Sequence, residues 1–191
     1  MTIASTPEPG TSPATPTDIL IDAFDRVHQE LPDLLDDLDA AALLWRPDPD
    51  ANSISWLAWH LTRVQDDHLA GVGQVEQVWT TQGFAQRFAL PYDAADIGYG
   101  QSRQDVDAFS VENAAILLDY HEEVHELTNR VLAQLGPQDY SRIVDRNWDP
   151  PVTAAARLVS VVNDTTQHLG QIAYLRGLVD RGAGLPQHPV A

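Results

Sequence analysis

Apolar residues recur at intervals of three and four over four long stretches of the chain, the pattern of amphipathic α-helices. These stretches cover roughly residues 17–38, 54–78, 110–135 and 153–180. No run shows the strict alternation of apolar and polar residues that marks a half-buried strand. The pattern therefore predicts an all-α fold, a four-helix bundle spanning residues 17–181.

Capping and turn residues give the predicted helix boundaries. Thr17 is suited to cap the first helix, and Pro32 should bend or interrupt it. Asn52 or Ser53 can cap the second helix. Gly-Pro at residues 136–137 should end the third helix.

The segments between and beyond these helices are rich in turn residues. Residues 80–100 predict a long loop, which can contain a short helix, and residues 102–109 predict one or two helical turns. Residues 1–16 hold four prolines among Ser, Thr and Gly, so we expect a flexible tail there. A second flexible tail is expected over residues 182–191.

Composition and charge narrow the class of protein. The 191 residues include 28 acidic and 11 basic side chains, a net charge of −17, which disfavours binding to nucleic acid or to an anionic membrane. The chain has no cysteine, so any metal site must use His, Asp or Glu. No apolar run reaches the roughly 20 residues of a membrane span, and no secretory signal is visible. We therefore expect a cytoplasmic protein.

Two residues on the inward face of the last helix indicate a metal site. Asp164 and His168 are four apart, so they stand one turn above the other on a single face. Burying a carboxylate and an imidazole is costly unless a partner satisfies them, and a divalent metal would do so. His60, on the second helix, is the predicted third ligand. Two His and one carboxylate leave coordination positions open for water or substrate.

Two other combinations of histidines are weaker candidates for a metal site. Residues 121–125 read His-Glu-Glu-Val-His and fit the H-E-x-x-H zinc peptidase pattern, but the stretch is acidic and is interpreted as a solvated face. His60 and His68 are about 12 Å apart along a helix, too far for one metal. His68 is expected to be a surface or packing residue, and His28 and His188 are taken as unassigned surface histidines.

Four further side chains are candidates for substrate binding. Trp56 lies one turn before His60 and could line a pocket, although core packing is the alternative. Trp148 lies near the start of the last helix and, like Trp56, could line a pocket or pack in the core. Arg63 could bind an anionic group, or form an ion pair with Asp66 or Asp67. Gln171 could hold a ligand or a bound water.

Two motifs carry a resemblance to a known family. Ser-Trp-Leu-Ala-Trp-His with the residues that follow it, over 55–68, and Asn-Asp-Thr-Thr-Gln-His-Leu-Gly-Gln, over 163–171, resemble the DinB/YfiT-like superfamily. The resemblance covers about residues 17–181. It implies a bundle with an up-down-down-up arrangement, a divalent metal that is often zinc or nickel, and a homodimer. The family's metal triad falls on His60, Asp164 and His168. Asp164 replaces the middle His of many relatives, as in mycothiol-dependent maleylpyruvate isomerase, which leaves Zn, Ni, Mn and Fe(II) as candidates.

The resemblance also implies a function. Enzymes of the superfamily include isomerases and S-transferases that use low-molecular-weight thiols, and a bound metal would favour the thiolate. The leading hypothesis is a metal-dependent thiol S-transferase or isomerase that uses mycothiol or a similar thiol and an electrophilic substrate. One alternative is a hydrolase with a metal-activated water, with Asp67 or Glu112 as its base. A non-enzymatic metal- or ligand-binding bundle and a bundle without metal are the others.

Overall fold

The computed structural model describes residues 14–182. The two predicted tails lie outside this range, except for residues 14–16 and 182. In chain order the helices are α1 (Pro16–Leu35), α2 (Ala40–Leu44), α3 (Ile54–Gly73), α4 (Val78–Thr81), α5 (Phe84–Phe88), α6 (Arg103–Asp107), α7 (Ala115–Gln134) and α8 (Ala154–Asp180). Two strands, β1 (Ile143–Asp145) and β2 (Val152–Thr153), lie between α7 and α8.

The four long helices α1, α3, α7 and α8 form the bundle, as predicted. Helix α3 packs against both α7 and α8, and α1 packs against the same two helices from the other side. Side-chain contacts show the relative direction of α3 and α7. Thr62 hydrogen-bonds to His121, and Gln65 further along α3 hydrogen-bonds to Thr128 further along α7. These two neighbours therefore run parallel.

Two other pairs of neighbouring helices, α3–α8 and α1–α7, run antiparallel, as contacts of their histidines show. On the α3–α8 seam, His60 meets His168, whereas His68 meets the earlier residue Arg157. On the α1–α7 seam, Asp25 pairs with His125 and the later residue His28 pairs with the earlier Glu122. Together with the parallel α3–α7 pair, these contacts give the up-down-down-up order.

A long crossover over residues 74–114 makes the parallel α3–α7 pair possible. Its short helices α4, α5 and α6 cover one side of the bundle, where aromatic rings pack together. Trp59 of α3 contacts Trp79 and Phe109 of the crossover, and Phe84 contacts Tyr120 of α7. The predicted loop is therefore a packed layer with short helices.

The first helix differs from prediction at both ends. Thr15, not Thr17, is its N-cap, because Thr15 and Asp18 form a reciprocal capping box and Pro16 takes the first helical position. Pro32 does not interrupt the helix, which continues to Leu35. The helix ends there, short of the predicted end near residue 38.

The second long helix ends earlier than predicted, at Gly73 rather than near residue 78. Gln74 adopts a left-handed conformation with φ 55° and closes the helix. The buried carboxylate of Asp66 then accepts hydrogen bonds from the backbone N–H groups of Val78 and Trp79, at 2.9 and 2.8 Å. These bonds return the chain to the side of α3, where α4 begins.

Two further differences concern residues 110–114 and the connector before α8. Helix α7 begins at Ala115, because residues 109 and 111 are buried in a non-helical segment instead of forming a first turn. The connector contains the antiparallel pair β1–β2, which was not predicted. Strands of three and two residues are too short to show an alternating pattern.

None of the helices within residues 14–182 combines the length and apolar character needed to cross a bilayer. The homodimer and the cytoplasmic location stay predictions.

Candidate metal centre

Three side chains from two helices meet at the seam between α3 and α8. The ring of His60 lies edge-on to the ring of His168, with 4.9 Å between the centroids and 74° between the planes. On α8, Oδ1 of Asp164 lies 3.5 Å from Nε2 of His168. One ligand atom from each of the three residues lies within 4.8 Å of the other two. Within residues 14–182, no other group of three or more His, Asp or Glu side chains meets this spacing.

A loop contact orients the ring of His60. Its Nδ1 atom lies 2.5 Å from the backbone carbonyl oxygen of Ile97. A carbonyl oxygen can only accept a hydrogen bond, so Nδ1 carries the proton. The Nε2 atom therefore presents its lone pair, and it is the nitrogen that can bind a metal. Only 6% of His60 is exposed, which fixes the ring in this position.

His168 is oriented in the same way from its own helix. Its Nδ1 atom lies 2.9 Å from Oε1 of Gln171, one turn further along α8. The amide oxygen accepts the Nδ1–H, which leaves Nε2 facing Asp164. Such outer contacts fix the tautomer and ring direction of metal-binding histidines. Both histidines thus present the same nitrogen to one point.

Asp164 has an unmet bonding requirement that a cation would satisfy. Its Oδ2 atom is buried and has no hydrogen-bond partner within the described residues. An ionised carboxylate only accepts hydrogen bonds, so this oxygen needs a donor or a cation. The donor set of two imidazole nitrogens and one carboxylate oxygen fits a divalent transition metal. The residues present therefore fit the predicted ion.

The surroundings favour the metal-binding protonation state for His60 and Asp164, but they favour the protonated state for His168. Burial lowers the pKa of His60, against the raising effect of the Ile97 carbonyl, so this ring is neutral near neutral pH. Burial raises the pKa of Asp164, but the hydrogen bond and charge of His168 outweigh it and the net pKa is lowered. For His168, burial and hydrogen bonding shift the pKa in the opposite directions to those for Asp164. Burial lowers its pKa, but the hydrogen bonds to Asp164 and Gln171 outweigh it and the net pKa is raised.

The loop of residues 96–101 is built to reach His60. Gly98 has φ 88°, and a Cβ atom at this position would lie 2.7 Å from Nδ1 of His60. Asp96 shapes the loop, because its carboxylate accepts the N–H of Gly98 at 2.6 Å and the side-chain amide of Gln101 at 2.9 Å. Gln101 in turn accepts the indole N–H of Trp56 at 2.9 Å. The loop is therefore tied to the same helix that carries His60.

Comparison with known proteins identifies the family. The family model described as mycothiol-S-transferase matches residues 19–181. The chain belongs to this family. Because the mycothiol-S-transferases are DinB-like, the predicted resemblance to the DinB/YfiT-like superfamily is confirmed.

One solved structure is similar in fold to this mycothiol-S-transferase family member over most of its length. A conserved protein from Enterococcus faecalis shares 28% sequence identity with the chain, and the two superpose with a TM-score of 0.81. The match covers 88% of this chain and 99% of the other. No curated protein matches the chain.

Trp56 and Gln171 each contact a histidine of the candidate metal centre. Trp56 is 4% exposed, and its ring stacks on His60 at 4.7 Å between centroids and 21° between planes. Gln171 is exposed and holds His168, as described above. Trp148 is not brought to the triad; it lies in the turn between β1 and β2 with 62% of its surface exposed.

Arg63 lies beneath the site and is fully buried. Its guanidinium is 3.7 Å from the carboxylate of Asp66, which is the ion pair considered as the alternative to substrate binding. It also donates to the backbone carbonyl of Asp96 at 3.3 Å and to the hydroxyl of Tyr120 at 3.3 Å. Arg63 therefore anchors the loop of residues 96–101 to α3 and α7, and it has no exposed surface to offer an anionic group.

The interpretation of the H-E-x-x-H segment as a solvated face is wrong for its histidines. His121 and His125 are 2% and 8% exposed and point toward α1. There His28 stacks on His125 at 4.0 Å between centroids, so His28 is not a free surface residue either. Glu122 remains exposed. The helix is thus amphipathic, with its histidines on the inner side.

The remaining candidates lie away from the triad. His68 pairs with Asp67 at 3.1 Å and contacts Arg157. His188 lies outside the described residues. Glu112, a candidate base for a hydrolase, lines a separate cavity of about 420 Å³ beside α5. Asp67, the other candidate base, already accepts hydrogen bonds from His68 and Gln77.

Proposed function

We propose that this protein is a divalent-metal-dependent thiol S-transferase that uses mycothiol or a similar low-molecular-weight thiol as its nucleophile. The observation that supports this most is the convergence of the ligand atoms of His60, Asp164 and His168 within 4.8 Å. The chain has no cysteine, so a reactive sulfur has to come from a bound thiol. Membership of the mycothiol-S-transferase family supports the same thiol.

The three residues would hold the metal through two nitrogens and one oxygen, which suits zinc or nickel and also Mn or Fe(II). When bound, the metal supplies a Lewis acid that lowers the pKa of a thiol and so provides a thiolate at neutral pH. Three protein ligands leave room for this thiol. Asp164 neutralises one of the two metal charges and the neutral imidazoles none, so the site keeps one net positive charge that favours an anionic sulfur.

The reaction follows from this arrangement. The thiol gives up its proton to solvent, its sulfur forms a bond to an electrophilic carbon, and the leaving group departs with the electron pair of the broken bond. His60 and His168 keep their positions through Ile97 and Gln171, so little reorganisation is needed during the reaction. An isomerase of the same kind would use the thiol in the same way and release it again after the rearrangement.

The hydrolase alternative has less support. A metal-activated water needs a general base beside the metal. The triad contains one carboxylate, Asp164, and this is already a ligand. Asp96 interacts with His60 through its charge, but both of its oxygens accept hydrogen bonds from the loop it shapes. Neither Asp164 nor Asp96 is therefore free to act as the base.

The proposal is tested by thiol conjugation to an electrophilic dye, measured with the metal-loaded protein and mycothiol. We expect turnover in the wild type and a loss of at least about 100-fold in kcat/KM for His168→Ala. Asp33→Asn, a change of an exposed carboxylate on α1 outside the triad, is the control and should keep its activity. Absence of turnover and of thiol binding across cellular thiols would refute the proposed function.

A further inference from the structure

A cluster of three histidines lies between α1 and α7, on the opposite side of the bundle from the candidate metal centre. His28 of α1 stacks on His125 of α7, with 4.0 Å between the ring centroids and 1° between the planes. The ring of His121, one turn earlier on α7, lies 5.7 Å from that of His28. The proposed function gives no role to these residues, although His121 and His125 are the histidines of the H-E-x-x-H segment.

One nitrogen of His121 is held by α3. Its Nδ1 atom lies 3.1 Å from the hydroxyl oxygen of Thr62. The hydroxyl proton of Thr62 already goes to the backbone carbonyl of Ala58, at 2.8 Å, so this oxygen accepts and Nδ1 carries the ring proton. The lone pair of the neutral ring is therefore on Nε2, which is buried and has no hydrogen-bond partner within residues 14–182.

Carboxylates hold one nitrogen of each of the other two rings. Nε2 of His28 lies 3.4 Å from an oxygen of Glu122, and Nε2 of His125 lies 3.1 Å from an oxygen of Asp25. An ionised carboxylate can only accept, so Nε2 carries the proton in both rings. The side-chain amide of Asn129, 3.0 Å from Nε2 of His125, then presents its oxygen to this N–H. In both rings the lone pair is on Nδ1, which is again buried and unpartnered among the described residues.

Three buried lone pairs therefore meet no donor within the part of the chain that the structure describes. They are too far apart to share one metal ion, because the ligand atoms of these rings lack the spacing found at the candidate metal centre. A proton is the cation that each can take up. The closed seam has no acceptor for the new N–H group, and protonation of both stacked rings would place two like charges 4.0 Å apart. The closed seam therefore requires neutral rings.

Few charged groups face the cluster to offset such a proton. Those that act on His121 and His125 are His28 and Asp25 of α1 and Glu122 of α7. Helix α3 faces His121 with an uncharged hydroxyl, and within residues 14–182 no charged group of α8 acts on either ring. Burial dominates at the inner ring and lowers the pKa of His121 to about 3, with smaller effects from the charges of His28 and His125.

We infer that the histidine cluster is a pH-sensitive contact that holds α1 against α7 while its rings are neutral and releases α1 when they are protonated. Helix α1 is the element that moves, because its packing on α7 and α8 is less extensive than the packing of α3 on the same two helices. In the released state the rings reach water and regain an ordinary pKa of about 6.5. The released state then binds protons that the closed state does not, so its population rises as pH falls below about 6.5. This inference goes beyond the proposed function and needs neither the metal nor the thiol.

Hydrogen exchange of the zinc-loaded protein, resolved by mass spectrometry, tests this inference. Exchange is measured between about pH 7 and pH 5 and is corrected for the intrinsic pH dependence of amide exchange. We expect the opening that exposes the amides of α1 to be at least about tenfold more populated than the opening that exposes those of α3. The population of the α1 opening should rise at least about tenfold from pH 7 to pH 5. Equal protection of α1 and α3 at both pH values would overturn the inference.

Substitutions in the cluster should change this pH dependence in opposite directions. His121→Gln removes a ring that binds a proton, and His28→Gln removes a charge that lowers the pKa of its neighbours, so each should reduce the rise at least about threefold. Asp25→Asn should enlarge the rise, because Asp25 raises the pKa of His125 in the closed state. A general loosening of the helix would not produce opposite effects. Asp33→Asn, a change of an exposed carboxylate on α1, is the control and should keep the wild-type rise.

The metal-free protein separates this contact from the metal centre. It should show the same rise, because the triad lies on the α3–α8 seam and the cluster on the α1–α7 seam. A rise that appears only with zinc bound would overturn the inference, and so would an unchanged rise in both His121→Gln and His28→Gln. The expected result does not depend on turnover with any thiol.

Discussion

The Nδ1 atom of His60 lies 2.5 Å from the carbonyl oxygen of Ile97, a residue 37 positions away in the sequence. This bond connects the loop of residues 96–101 to the candidate metal centre, because it decides which nitrogen of His60 is free. The loop keeps its shape through Asp96 and Gln101 and reaches the ring only because residue 98 has no side chain. The affinity of the site for metal should therefore depend on residues that are not ligands.

Gly98→Ala is expected to weaken metal binding by at least about tenfold, because the new methyl group would lie 2.7 Å from Nδ1 of His60 and displace the ring. Gly100→Ala is the matched control. Gly100 also has a positive φ, 73°, but a Cβ there meets nothing within 4 Å. Both variants carry the backbone cost of a left-handed residue, and only the first meets the ligand. Chelator competition measures the two affinities, and equal losses would contradict the role of the loop.

Gln171→Ala is expected to lower metal affinity by about 10-fold to 100-fold, because His168 loses the acceptor that fixes its tautomer. Gln171→Glu keeps an acceptor at the same distance and should restore most of the affinity. Gln167→Ala, a change of a neighbouring exposed glutamine on α8, should have no effect. Isothermal titration with zinc gives all three values. A normal affinity in Gln171→Ala would show that the contact does not position the ligand.

Metal affinity should rise with pH in a range set by His168. Hydrogen bonds to Asp164 and Gln171 raise the pKa of His168 above its ordinary value of 6.5. Below this raised pKa the ring holds a proton that the metal must displace, so binding is weaker and releases a proton. The affinity should increase as pH rises through this pKa and then level off. In Gln171→Ala the levelling should occur at lower pH, and a pH-independent affinity between pH 6 and 8 would contradict the assignment.

The histidines between α1 and α7 should make the protein sensitive to acid. Burial, with smaller effects from His28 and His125, lowers the pKa of His121 to about 3, from an ordinary value of 6.5. Between these values the unfolded state binds a proton that the folded state does not, so stability falls as pH falls below 6.5. The slope from this residue is at most about 1.4 kcal/mol per pH unit.

Urea unfolding of the metal-free protein at several pH values measures this slope. His121→Gln should flatten the fall between pH 6.5 and pH 5, whatever its effect on stability at pH 7. The remaining fall is expected from His60, whose pKa is lowered by burial, and from His125, whose pKa is lowered by burial and by the charge of His28, although Asp25 and Glu122 raise it. An unchanged slope in His121→Gln would show that the buried ring is not the source.

The parts of the fold and site that follow from local spacing were predictable from the sequence. The 3.6-residue period gave the four long helices, and the four-residue spacing of Asp164 and His168 gave their common face. The third ligand, His60, was predicted because an inward-facing pair on one helix needs a partner from another. The choice of His60 also rests on the family resemblance, whereas the other inferences use only the geometry of single helices and the cost of burying polar groups.

The parts that depend on tertiary contacts were not predictable in the same way. Nothing in the sequence around Ile97 shows that its carbonyl meets His60, since any residue supplies a carbonyl. The burial of His121 left a signal, because it shares a helical stripe with Leu117, Val124 and Thr128, all buried. The acidic residues on the opposite side of the helix made the whole segment look solvent-exposed. For Arg63 the pair with Asp66 was one of the two predicted alternatives, but its contacts to Asp96 and Tyr120 come from the crossover and from α7.

Metal content of the freshly purified protein tests the central claim most directly. Elemental analysis should find about one divalent transition metal per chain in the wild type and in His68→Ala. In His60→Ala and in His168→Ala the metal should be lost, while circular dichroism shows that the helices remain. A wild-type protein that neither retains nor takes up a divalent metal would contradict the account, and so would a His60→Ala variant that binds metal as tightly as the wild type.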